Sequence, residues 1–116
     1  MWRALGFDVA AAVLFAIVGR ASHGSELSPA GVAQTAWPFV VAAVIGSLLA
    51  WRFGADRWWR QGAIAWAVTV AGGLGLRLLG GETAQLGFVI VTTLVLAVML
   101  LGWRAVVTLR TRPDAP

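Results

Sequence analysis

The chain contains no cysteine. Disulfides, thiolate metal sites and thiol catalysis are thereby excluded. Histidine occurs once, as His23, and one imidazole cannot build a bis-histidine haem or a multi-histidine metal centre. Lysine is missing too: all nine basic residues are arginine, a bias that fits a GC-rich genome better than a mechanism. Charge of either sign is scarce. Charged residues make up 12% of the 116 positions, against roughly 25% in a domain that faces water. No Ser-His-Asp set, paired carboxylates or metal-ligand spacing is visible, so neither an enzyme nor a resident cofactor is expected. A net charge of +4 would suggest nucleic acid only if the arginines shared a soluble face. They stand instead at the ends of apolar runs, where lipid headgroups lie.

What the chain has in quantity is apolar sequence, 59% of it. Four runs stand out, at about 4–20, 29–51, 62–79 and 84–104, followed by a polar tail at about 105–116 whose end, "TRPDAP", should fray. A span needs about 20 residues to cross about 30 Å of hydrocarbon. The second and fourth runs qualify outright. The first and third qualify once their flanking Arg and Trp residues, which can snorkel, are counted. The runs are apolar all round, without the polar stripe of a soluble bundle or the alternation of a β-barrel. The expected architecture is an all-α, single-domain, four-helix membrane bundle made of two antiparallel hairpins.

Charge predicts its orientation. Arg3, Arg52, Arg57, Arg60, Arg104, Arg110 and Arg112 fall on one side of a four-span arrangement, and only Arg20 and Arg77 on the other. Positive residues favour the cytoplasmic side, so both termini are expected in the cytoplasm, with the chain in the cytoplasmic membrane. Trp2, Trp51, Trp58, Trp59 and Trp103 would form an aromatic belt on the same side. A cleaved signal peptide is the rival reading of "MWRALGFDVAAAVLFAIVGRASHG". Asp8 interrupts its front, and Arg20 stands where small residues should precede cleavage.

Local signals mark ends and seams. Ser28-Pro29 reads as an N-cap followed by proline at the first helical position. "LGGET" reads as a tight turn. Small residues recur every fourth position as Ala42-Gly46-Ala50 and Ala65-Thr69-Gly73, the spacing that lets helix backbones approach closely in lipid. On the first run the series is Ala4, Asp8, Ala12, Ala16, Arg20, so Asp8 and Arg20 should face protein. "AGGLG" lacks the lysine and preceding strand of a phosphate loop and reads as a helix crossing. There is also an internal echo: two segments open with Ala-Gln and close with Trp-Arg, at 33–52 and 84–104. Two hairpins related by an axis along the membrane normal would look like this.

"FDVAAAVLFAIVGRASHG", "TAWPF", "WAVTVAGGLGLRLL" and "LGWRAV" together resemble the DUF3054 family over nearly the whole chain. The resemblance implies a small four-helix prokaryotic membrane protein. It implies no activity.

Polar groups inside lipid are costly, so each is a candidate for function. Asp8 reads either as a proton or cation site, or as an acid near a helix N-terminus paired with Arg52 or Arg104. Arg20 and Arg77 read either as an anion-attracting mouth or as a structural layer, Arg20 with Glu82 and Arg77 with Glu26. His23 is either a pH sensor or a solvated loop residue. Pro38 lies inside the second run and frees the carbonyl of Gln34. Gln34, Thr35 and Trp37, closed over by Arg20, Arg77 and Gln85, with His23 nearby, make the candidate ligand site. Two functions are compatible with these residues. One is a membrane module that binds a lipid, a pigment or a partner protein. The other is a homo-oligomeric channel or transporter for a small solute or ion. The middle of the spans offers only Thr69, Thr92 and Thr93 as polar groups, which is thin for an ion path and favours the first.

Overall fold

The computed structural model describes residues 2–22, 24 and 27–111. Four helices succeed one another, α1 (Trp2–Ser22), α2 (Pro29–Gly54), α3 (Trp58–Leu79) and α4 (Leu86–Thr111), with no strand among the described residues. Even α1, at 21 residues, extends for about 31 Å at 1.5 Å per residue. All four are long and apolar enough to cross a bilayer.

The helices outrun the apolar runs that announce them. α3 starts at Trp58 rather than near 62, and α4 continues to Thr111, through the first part of the tail expected from about 105; the rest of "TRPDAP" lies outside the described residues. Apolar sequence marks the hydrocarbon slab, whereas backbone hydrogen bonding continues through the headgroup zone where Arg and Trp reside. The ends are set by local chemistry. Ser28 caps α2, its Oγ accepting from the Gly31 N–H at 3.0 Å, with Pro29 at the first helical position. After α3 the Gly80 and Gly81 N–H groups donate to the carbonyls of Leu76 and Leu78. Gly81 then takes φ 86°, a region open to glycine without strain, and the chain turns into α4.

The four helices form an up-down-up-down ring in which each packs on its neighbours in sequence and α4 closes on α1. The α2–α3 seam is the tightest. Ala42, Gly46 and Ala50 are buried on α2, facing Ala65, Thr69 and Gly73 on α3. A Cβ on Gly46 would lie 3.0 Å from the Ala65 carbonyl oxygen, so the backbones approach as the fourfold spacing predicts. The α3–α4 seam carries a polar tie, the Trp66 Nε1–H donating to the Thr93 carbonyl at 2.9 Å. The α1–α4 seam is the loosest. The core contains Ala11, Ala12, Phe15, Phe39, Ala43, Leu96 and Leu100. In α4 only 17% of the most apolar stretch is buried inside the bundle. Phe88, Val95 and Met99 are partly buried against the core, while Ile90, Leu94 and Val98 are exposed, as a lipid-facing surface must be.

Candidate functional site

The two ends of the bundle differ in chemistry. One holds the start of α1, the end of α4 and the α2–α3 connection; the other holds the α1–α2 and α3–α4 connections.

At the terminal end Asp8 of α1 is fully buried. An ionised carboxylate there needs partners for both oxygens, and α4 supplies them. Arg104 Nη1 donates to Asp8 Oδ1 at 2.8 Å and Nη2 to Oδ2 at 2.7 Å, a bidentate fork. Trp103 Nε1 donates to Oδ1 at 2.9 Å. Arg104, also buried, spends its remaining donors inside the bundle. Its Nε donates to Gln61 Oε1 at 2.9 Å and its Nη1 also to the Leu100 carbonyl at 3.0 Å. The Trp103 ring stacks on Phe7, with centroids 4.7 Å apart, which fixes the indole that donates. Of the two partners expected for Asp8, Arg104 is the one used. Arg52 is exposed and lies over the Phe53 ring instead.

This end also corrects the aromatic belt. Trp2, Trp51, Trp58 and Trp59 are exposed, but Trp103 turns inward to the carboxylate. Gln61 had no signal of its own beyond lying one turn into α3, and its role depends on the rotation of α3 against α4.

The opposite end opens into a cavity of about 230 Å³ to which all four helices or their connections contribute. Its floor is aromatic. Phe15 and Phe88 line it, and Phe39 closes beneath them, the three rings 5.1–6.1 Å apart between centroids. Phe39 is seated where Gly73 leaves room for it. Gly19 and Arg20 from α1 and Thr35 from α2 form one wall, and Arg77, Thr83 and Gln85 form the other. Arg20 Nη1 donates to Thr35 Oγ1 at 3.0 Å, and its Nη2 lies so close to α2 that a Cβ on Gly31 would fall 2.6 Å from it. The Arg77 guanidinium carbon lies over the Phe88 ring, 4.4 Å from its centroid, and its Nε donates to the Thr83 carbonyl at 2.7 Å.

Of the candidate ligand residues, Arg20, Thr35, Arg77 and Gln85 are brought together around this cavity. Gln34 lies beside it, its Nε2 donating to Glu82 Oε1 at 3.0 Å. That bond replaces the expected Arg20–Glu82 pair: the ion pairs formed between described residues are Asp8–Arg104 and Asp56–Arg60. Trp37 does not line the cavity. It is half exposed and reaches toward Gly80, because position 37 comes two residues after Thr35 and so projects from another side of α2. Pro38 is buried within an uninterrupted α2. His23 and Glu26, and with Glu26 the expected pair to Arg77, lie outside the described residues. The phenylalanine floor had no sequence signal, since a buried Phe and a lipid-facing Phe read alike in an apolar run.

Four apolar helices, polar at both ends and apolar between, define a small multi-pass membrane protein. The chain belongs to the DUF3054 family, described as a protein of unknown function, whose match covers residues 5–107. No curated protein and no solved structure is significantly similar to it.

Proposed function

We propose that the chain is a membrane-embedded binding module whose ligand enters at the cavity between Arg20 and Arg77, and not a conduit. The observation that carries this reading is the aromatic plug. Phe15, Phe39 and Phe88 close the bundle beneath the cavity, and Ala12, Ala43, Leu96 and Leu100 are fully buried in the same core. A path for an ion or polar solute needs polar groups or water along its length. Thr92 and Thr93 offer none, since their hydroxyls donate to the carbonyls of Phe88 and Val89 on their own helix; Ser47 and Thr69 keep buried hydroxyls without a hydrogen-bond partner among the described residues, two groups that do not line a path by themselves. At the terminal end the buried Asp8 carboxylate is held by Arg104 and Trp103 and is not open to a travelling cation. The seven-to-two arginine split supports a cytoplasmic position for both termini, with the cavity on the opposite face of the membrane.

The test is flux. Purified protein in phosphatidylcholine vesicles should pass protons, potassium and chloride no faster than protein-free vesicles. Saturable, protein-dependent flux of any of the three would overturn the binding-module reading.

A further inference from the structure

We infer that the ligand of this cavity is an amphiphile headed by an oxyanion, a carboxylate or phosphate, held by the open fork of Arg77. The inference rests on the reading of the chain as a binding module and names the class of its ligand. Two contacts fix the Arg77 guanidinium. Its Nε is occupied by the Thr83 carbonyl at 2.7 Å, and its Cζ lies over the Phe88 ring, 4.4 Å from the centroid. Its Nη1 and Nη2 donate to no acceptor among the described residues. A rigid guanidinium with two unused amino groups offers the parallel donors that a carboxylate or phosphate takes bidentately. These amino groups are not buried, so an incoming oxyanion reaches them by displacing water. Arg20 adds a second cation on the facing wall, and the Glu82 carboxylate is engaged by Gln34.

The floor restricts the tail that can extend beneath the head. Below the arginines lie Phe15 and Phe88, surfaces that reward apolar atoms and offer a fully hydrated ion nothing. The cavity, at about 230 Å³, falls below the roughly 300–1,000 Å³ of sites for drug-sized ligands. That size admits a charged head and the first methylenes of a chain. It is too small for a pigment macrocycle.

Calorimetric titration of the protein in dodecyl maltoside gives the Kd for chosen probes. Octyl phosphate and octanoate should bind, and octyl trimethylammonium, with the same tail and the opposite charge, should not. Inorganic phosphate should bind at least about tenfold more weakly than octyl phosphate, in proportion to the apolar area it leaves unburied. Arg77→Gln should weaken octyl phosphate at least about tenfold. Arg77→Lys should fall between, since it keeps the charge and loses the fork; it also shows that the loss is not misfolding. Phosphatidylglycerol mixed into the micelles separates two sources of the head. Competition with octyl phosphate supports a lipid as the ligand, and absence of competition supports a soluble amphiphile. Equal affinity for octyl phosphate and octyl trimethylammonium, or a Kd unchanged by Arg77→Gln, would overturn the oxyanion. Inorganic phosphate matching octyl phosphate would overturn the tail. Neither failure touches the flux result, and protein-dependent flux would leave the ligand class standing while removing the binding-module reading.

Discussion

Asp8 leaves water entirely on entering the bundle, and three hydrogen bonds from Trp103 and Arg104 replace its hydration. Breaking such a pair from one side strands the other charge, at a cost of about 3–5 kcal/mol, whereas replacing both partners by apolar groups of similar size can be nearly neutral. Asp8→Leu and Arg104→Leu should each lower stability by about that amount. The double variant should recover most of the loss, and Asp8→Asn, which keeps an acceptor for Trp103, should lose less than Asp8→Leu. Equilibrium unfolding in mixed micelles measures all four. Losses in the two single variants that simply add in the double variant would contradict the coupling. The fourfold series on α1 made the burial of Asp8 legible, because Ala12 and Ala16 share its face and both are buried. The choice of Arg104 over Arg52 was not legible. Both arginines come directly after a tryptophan at the end of a span, and only the contact of α4 with α1 at this end separates them.

At the scale of elements, small residues made one seam readable and aromatic ones left another hidden. The α2–α3 stripes are buried against each other as their spacing predicts. What spacing cannot give is the notch at Gly73, into which the Phe39 ring fits. A methyl group there would overlap that ring, whereas at Gly75 it would meet nothing within 4 Å. Gly73→Ala should therefore destabilise the protein by about 1–3 kcal/mol through overpacking. Gly75→Ala should be neutral or slightly stabilising, since alanine is the better helix former. Thermal unfolding of the two variants side by side checks the difference, and equal midpoints would contradict the seating of Phe39. The internal echo between the two hairpins fails at this scale for a physical reason. Arg104 is buried against Asp8 while its counterpart Arg52 is exposed: α1 carries the acid, and the corresponding face of α3 carries Gln61 instead.

For the whole molecule, four spans and their alternation were legible from length and apolarity alone, and the gathering of Arg20, Thr35, Arg77 and Gln85 at one end came from where the spans stop. The depth at which Phe15, Phe39 and Phe88 meet was not, because periodicity on one helix carries no register against another. That plug is the central claim, and a chain without cysteine allows it to be tested directly by single cysteines and a membrane-impermeant maleimide. Gly19→Cys and Thr83→Cys should label from one side of sealed vesicles, and Asp56→Cys from the other. Ala12→Cys and Ala43→Cys, in the core beneath the cavity, should label from neither side until the protein is unfolded in dodecyl sulfate. Reaction of Ala12→Cys or Ala43→Cys in the folded protein, from either side, would reveal a water-filled path through the bundle and contradict the account.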